Sequence, residues 1–382
     1  MTAPAAPAKA GLEGVVATSS AICHLDGAHG VLAYCGHDIH DLAEHATFEE
    51  VCHLLWHRRL PTRAELGDLQ SQLASARPLS EPLRRLIRSL PPGNTMDALR
   101  TLTSALAHFD PQAGDASPAA RYRQAVRLTA QLGSVVAACG RVAAGRSPIE
   151  PDPALGHAAN FLLMLGGERP SAVATRAFDV ALILHADHEL NASTFAARVT
   201  AATLSDVHSA VVAGIGALKG PLHGGANAAV MKLLTDIGED ADDERVERVI
   251  RDMLARKVKV PGFGHRVYRT EDPRATHLRR MSRELGERAG RTRLHEMSRR
   301  IEAVMKEATQ IDANVDFYSA STYALLGIPV DLFTPIFAVS RVAGWTAHVL
   351  EQYANNRLIR PRAEYVGPEH PQPFTPLDER GR

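Results

Sequence analysis

Between residue 10 and residue 367 the apolar side chains recur at helical spacing, and β-α-β alternation is absent. A chain patterned this way folds as a mainly α body. One short stretch departs from the pattern. Asp26-Gly27 separates the apolar runs Ala21–Leu25 and Val31–Tyr34, which reads as a β-hairpin with glycine placed for a positive φ. Further on, Val246, Val249, Ile250, Met253 and Leu254 fall on one helical face. Asp242, Asp243 and Glu244 precede them and Arg256 and Lys257 follow, the charge order that a helix dipole favours. Met281 to Ile311 reads as one or two long charged helices. Pro/Gly breaks at 91–93, 111–118, 148–153, 220–221 and 261–264 punctuate the helices, and no internal repeat is present.

Composition divides the chain. Residues 154–218 are Ala/Leu-rich, 230–310 are charged, and 317–350 are apolar again. The pattern predicts a large helical domain over 1–222, a smaller inserted domain over 223–324, and a return to the large domain over 325–382. Hinges fall near 220 and 320. Residues 1–10 and 367–382 read as disordered tails.

The net charge of +0 gives no bulk electrostatic case for nucleic acid or an anionic membrane. Arg outnumbers Lys, which suits bidentate capture of carboxylates and phosphates, although most such arginines serve a solvated surface. Cys23, Cys35, Cys52 and Cys139 form no C-x-x-C pair and no disulfide framework, as expected of thiols in a reducing cytoplasm. The N-terminus lacks the apolar core of a secretory signal, and no run reaches the ~18 apolar residues of a membrane span. The expectation is a soluble cytoplasmic protein.

Three glycine-framed islands carry acid–base side chains: Gly220–Gly225 with His223, Pro261–His265 with His265, and Ala313–Tyr318 with Asp316. Two histidines and a carboxylate suffice to enolise a carbonyl compound and direct the enol at an electrophile. His223 precedes a helical run, where the dipole favours a neutral, donating ring; the plainer reading is a capping or packing histidine. His265 lies in a loop followed by Arg266, Arg269 and Arg274, suited to a phosphate-bearing ligand or simply to solvent. Asp316, between Val315 and Phe317, is either a desolvated base or an N-cap. His185-Ala186-Asp187-His188-Glu189 is the densest polar cluster, but its spacing matches no recognised zinc motif, so it reads as a substrate contact and no metal is expected.

Taken together, the segments resemble the citrate synthase family from about Gly11 to Gly367. The resemblance rests on G-x-D-I-x-D-L-A at 36–43, M-D-A-L-R-T at 96–101, H-A-D-H-E at 185–189 and G-P-L-H-G-G-A-N at 220–227. It continues through P-G-F-G-H-R-V-Y at 261–268, N-V-D-F-Y-S at 314–319, R-V-A-G-W-T-A-H-V-L-E-Q at 341–352 and N-R-L-I-R-P at 356–361. It implies an all-α, two-domain homodimer with active sites in the interdomain cleft. By motif match, His223 is similar to the histidine that stabilises the acetyl-CoA enol, His265 to the one that polarises the oxaloacetate carbonyl, and Asp316 to the base that removes the methyl proton. His188, Arg274 and Arg341 fall where the family binds oxaloacetate, and Arg360 where an arginine reaches in from the other subunit. Arg269 and the loop of Lys257, Lys259, Val260, Pro261, Gly262 and Gly264 fall where coenzyme A lies. No cofactor is implied beyond acetyl-CoA as co-substrate. The family commonly has Tyr-Arg-Gly-Tyr where this chain has Tyr34-Cys35-Gly36-His37, so any contact made by that arginine is in question. The extra N-terminal β-domain of the hexameric bacterial forms is not expected, which favours a dimer.

The implied reaction joins acetyl-CoA, oxaloacetate and water to give citrate and coenzyme A. The alternative on the same fold is 2-methylcitrate synthase, acting on propionyl-CoA. A catalytically silent paralogue that binds coenzyme A or a metabolite is a further alternative, disfavoured by the intact His223, His265 and Asp316.

Overall fold

A computed structural model of the chain describes residues 10–12 and 14–380. The expected tail over 1–10 lies, apart from Ala10, outside the described residues. A small antiparallel sheet opens the fold: β1 (Cys23–Asp26), β2 (Val31–Tyr34) and β3 (His37–Asp38). Cys23 pairs with Tyr34 and Asp26 with Val31, so the expected hairpin is present; β3, paired with β2 through Tyr34 and His37, was not foreseen.

The turn chemistry differs from the reading of Asp26-Gly27. The positive φ, 68°, falls at Gly30. Gly27 is required for a different reason: a Cβ there would stand 2.2 Å from Val267 O. Its own carbonyl accepts from Arg269 N–H at 2.8 Å, which seats the hairpin tip on the 265–271 loop.

Among the described residues sixteen α-helices follow. The first ten are α1 (Ile39–His45), α2 (Phe48–His57), α3 (Arg63–Ala76), α4 (Glu81–Ser89), α5 (Thr95–Leu106), α6 (Pro118–Ala143), α7 (His157–Gly166), α8 (Ala172–His185), α9 (Ala192–Ala202) and α10 (Val207–Leu218). The rest are α11 (Ala226–Ile237), α12 (Asp243–Ala255), α13 (Pro273–Ala289), α14 (Arg293–Thr309), α15 (Val315–Leu325) and α16 (Phe333–Ala354). Local chemistry sets many of their starts. Thr47 and Thr62 form capping boxes with Glu50 and Glu65, and Asp242 and Asp272 cap α12 and α13, the latter ahead of Pro273. The charged stretch from Met281 to Ile311 resolves into most of α13 and all of α14, parted at Gly290 in a left-handed cap.

α16 is the axis of the core. It is buried almost all round from Phe333 to Val349 and packs on α2, α6, α8, α9 and α10. α11 to α15 pack chiefly on one another, while α13 also meets α1 and α8. Among the described residues no helix is long and apolar enough to cross a membrane. After α16 the chain runs to residue 380 with a single 3₁₀ turn at Leu377–Glu379, exposing Leu358, Tyr365, Val366, Phe374 and Leu377.

Candidate active site

Two seams of hydrogen bonds assemble the site. The first stitches the 261–268 loop to the start of α15. Gly264 N–H donates to Asp312 O at 3.0 Å, Asn314 N–H to Gly262 O at 2.9 Å, and Asn314 Nδ2 to Gly264 O at 2.9 Å. Gly262 and Gly264 take positive φ, 81° and 76°, to make the turn. His265 and Asp316 thus sit on adjoining pieces of backbone. The cap of α15 is Asn314, whose side chain accepts from Asp316 N–H at 3.0 Å, so the N-cap reading of Asp316 fails.

The second seam lays one face of α16 along residues 182–198. Arg341 Nε donates to His185 O at 2.6 Å, Gly344 N–H to Ala186 O at 3.1 Å, and Trp345 Nε1 to Ser193 Oγ at 3.1 Å. Only glycine fits at 344, because a Cβ would stand 2.3 Å from Ala186 O and 2.4 Å from Asp187 Oδ1. His348 and Gln352 continue the face toward Asp187 and Arg198.

The protonation of His265 can be read from its contacts. Val267 N–H and Tyr268 N–H donate to its Nδ1 at 3.0 and 3.2 Å. A ring nitrogen that accepts carries no proton, so Nε2–H is the donor. Burial, reinforced by Arg274, pushes its pKa down to about 4, and the ring is neutral at pH 7. Asp316 is displaced the other way. The residue as a whole retains some exposure, but Oδ1 is shut off from solvent and receives no donor. Burial raises the carboxyl to about 6, against the opposing pull of Arg274.

His223 lies in the turn ahead of α11, half-buried, with burial and then Arg341 lowering it to about 4. Its Nε2 is 2.8 Å from Ser193 Oγ. That hydroxyl accepts from Trp345 and has one proton for two acceptors, His223 Nε2 and Asn191 Oδ1 at 2.7 Å. When the proton points at His223, the imidazole carries its own on Nδ1 and can donate away from Ser193. Asn191 Oδ1 keeps Thr194 N–H in either setting.

Two buried arginines supply positive charge. Arg341, 1% exposed, has no carboxylate within 4 Å among the described residues, and burial lowers it to about 10. Its guanidinium lies 4.7 Å from the centre of the Phe337 ring. Arg274 already has a protein partner. Its Nε and Nη2 donate to Asp272 at 2.9 and 2.7 Å, and Asp272 also accepts from Val315 N–H at 3.1 Å. His188 is buried, with Nε2 3.1 Å from Tyr268 Oη and its ring 5.2 Å from that of His265. Burial and Arg274 hold it well below the usual histidine range.

Thus His188, His223, His265, Arg274, Asp316 and Arg341 are linked through shared neighbours. Val260 is buried, whereas Lys257, Lys259 and Arg269 lie exposed along the same loop beside Pro261. Arg360 stands apart, exposed on the stretch after α16. Cys35 takes a positive φ of 48°, its Sγ 3.5 Å from Leu54 O, and nearby Arg58 pairs with Glu351 at 3.1 Å. The 185–189 cluster disperses: His185 Nδ1 donates to Ala181 O at 2.8 Å, Asp187 turns to His348, and Glu189 is exposed. Sequence reasoning missed Ser193, Asn191, Tyr268, Asp272 and Trp345. Of these, Tyr268 and Trp345 lie inside the quoted motifs and Asp272 is signalled as the cap in Asp272-Pro273-Arg274, whereas Ser193 and Asn191 left no signal.

Neutral imidazoles, a carboxyl raised to about 6 and a buried arginine, Arg341, without a carboxylate partner are the equipment of an enzyme that moves protons on an anionic substrate. The family described as citrate synthase, C-terminal domain, matches residues 11–362. Citrate synthase 2 of Bacillus subtilis is 53% identical over 97% of this chain and 98% of its own, and citrate synthase of Haloferax volcanii is 52% identical over 97% and 99%. A 2-methylcitrate synthase of Shewanella oneidensis is 43% identical over 94% of both chains. The ternary complex of carboxymethyl coenzyme A and oxaloacetate with citrate synthase from Thermoplasma acidophilum superposes with a TM-score of 0.90 at 31% identity, covering 97% of this chain and 98% of that one. The chain belongs to the citrate synthase family, whose members include acyltransferases of the citrate synthase type.

Proposed function

We propose that this enzyme condenses acetyl-CoA with oxaloacetate and hydrolyses the resulting citryl-CoA to citrate and coenzyme A. In this reading Asp316 takes a proton from the thioester methyl group while His223, protonated on Nδ1, donates to the enol oxygen. The enol carbon attacks the oxaloacetate ketone, whose oxygen accepts from His265 Nε2–H. Water then cleaves the thioester. The methyl proton is too weakly acidic for a carboxylate alone, so the donor at the enol oxygen must act in the same step. The scheme calls for no cofactor. The observation that carries it is the opposed tuning of His265 and Asp316 on adjoining backbone: a locked neutral donor beside a base whose Oδ1 has no partner.

Arg341 offers a buried charge to a carboxylate of oxaloacetate, and Arg274 and His188 flank the same space. The exposed Lys257, Lys259 and Arg269, with Val260 to Gly264, are the proposed coenzyme A contacts. The division at 223–324 is supported by the mutual packing of α11 to α15, and closing that lobe would exclude water during condensation. Arg360 completes the site of a partner in a cytoplasmic homodimer; the apolar side chains exposed after α16 support a second copy covering this stretch.

Steady-state kinetics with acetyl-CoA and propionyl-CoA side by side test the assignment. The expected result is a higher kcat/KM with acetyl-CoA, by a margin within the ~1–3 kcal/mol that one methylene is worth in an apolar pocket. A preference for propionyl-CoA would make the enzyme a 2-methylcitrate synthase. Release of coenzyme A from neither would leave a silent paralogue.

Arg274→Lys probes the oxaloacetate side. Lysine keeps the charge but loses the fork that holds Asp272, leaving a buried carboxylate under-paired at a cost of ~1–3 kcal/mol. The expected outcome is a lower Tm together with an oxaloacetate KM raised about tenfold or more. An unchanged oxaloacetate KM with a collapsed affinity for acetyl-CoA would move Arg274 to the coenzyme side.

A further inference from the structure

Beneath the oxaloacetate side lies a buried polar chain that the proposed chemistry does not use. Arg198, His348 and Asp187 are 3%, 0% and 0% exposed. Arg198 Nη1 lies 3.0 Å from His348 Nδ1. Guanidinium can only donate, so Nδ1 accepts and the histidine proton sits on Nε2. That nitrogen is 3.3 and 3.4 Å from the two oxygens of Asp187, with the better-aligned contact to Oδ2. Asp187 Oδ2 also accepts from Glu189 N–H at 3.1 Å, and Oδ1 has no other donor. Burial pushes the Asp187 carboxyl up, but His348 and Arg341 outweigh it and hold the group below its usual range.

Asp187 is the residue before His188, and the segment it anchors runs on to Ser193, the neighbour of His223. The same α16 face carries Arg341. A buried set of three ionisable groups is often no more stable than an apolar filling of equal volume, so stability alone does not account for it. We propose that His348 is a positioning residue: by donating from Nε2 to Asp187 it fixes the 185–193 segment where His188 meets oxaloacetate beside Arg341. The inference rests on the assignment of His188 and Arg341 to oxaloacetate.

Two near-isosteric amides separate the two bonds of His348. In His348→Asn the side-chain oxygen can accept from Arg198, but the amide falls short of Asp187. In His348→Gln the amide can reach Asp187, and Arg198 keeps Glu351 at 2.7 Å and Gln352 at 3.2 Å. Wild-type turnover of acetyl-CoA with oxaloacetate tests the underlying assignment; the contrast between the variants tests this one. The expected result for His348→Asn is an oxaloacetate KM raised about tenfold, an acetyl-CoA KM changed less than about threefold, and a smaller loss in kcat. His348→Gln should recover most of the oxaloacetate affinity. Equal oxaloacetate KM values in the two variants, or a lowered Tm in His348→Asn with no change in oxaloacetate KM, overturn the proposal. Should His348→Asn fail to fold, Asp187→Asn supplies the reading: it should raise the oxaloacetate KM in the same way, and an unchanged value overturns the proposal.

Discussion

Asp316→Asn should fold, bind oxaloacetate nearly as the parent does, and turn over at least ~10²-fold more slowly, as loss of a general base requires. The amide is isosteric, and Asp316 Oδ1 has no protein partner to lose. Near-normal turnover would remove Asp316 from the mechanism. The parent enzyme carries a matching pH signature. In the proposed mechanism Asp316 must be ionised to act as the base, and burial has raised its pKa to about 6. As pH falls through that value the working form is lost, and kcat/KM for the thioester should drop about tenfold per pH unit below it. His223 and His265, both lowered to about 4, stay neutral over the same range and should not add a limb there. The Asn variant should lose the limb with the activity. A limb that survives at the same pH would belong to another group.

The second large effect concerns Arg360. Arg360→Ala and Asp316→Ala should each be close to inactive as pure proteins. Dissociated together and reassociated, they should recover activity approaching about a quarter of the parent value. In the proposed homodimer random pairing makes about half the dimers hybrids, and each hybrid has one site with an intact Asp316 from one chain and an intact Arg360 from the other. Arg360 is exposed in the single chain, as a residue reserved for a partner would be. No recovery, with hybrids demonstrated by mass or tag, would return Arg360 to its own subunit or exclude it from any site.

Much of the fold was legible because helix signals are local. Asp242 and the apolar stripe at Val246, Ile250 and Met253 announce α12 within a dozen residues, and Pro/Gly breaks separate its neighbours. The candidate acid–base residues stand out in the sequence for a different reason: each sits in a motif long enough to carry a family resemblance. What escaped were contacts between distant segments. Nothing near Ser193 indicates that Trp345 and His223 both reach it, because that meeting depends on the packing of α9, α11 and α16. Asp26-Gly27 favours a turn on sequence alone, whereas the demand on Gly27 comes from Val267, far along the chain. Arg274, which the resemblance places at oxaloacetate, is also held by Asp272 two residues earlier, and the motif match carries no sign of that pairing.

The alignment of α16 with residues 182–198 bears on how this protein can be rebuilt. Arg341, Gly344, Trp345 and His348 share one helical face, and each finds a partner on that segment. Inserting one residue between Arg341 and His348 would turn everything beyond it by about 100° and advance it by about 1.5 Å, splitting the set in two. Chimeras between homologous enzymes are therefore best cut so that both segments come from the same parent, although some 150 positions separate them. Loops such as 146–156, which no candidate catalytic or substrate-binding residue occupies, are the natural places for crossovers. In a shuffled library the two segments would behave as one heritable block.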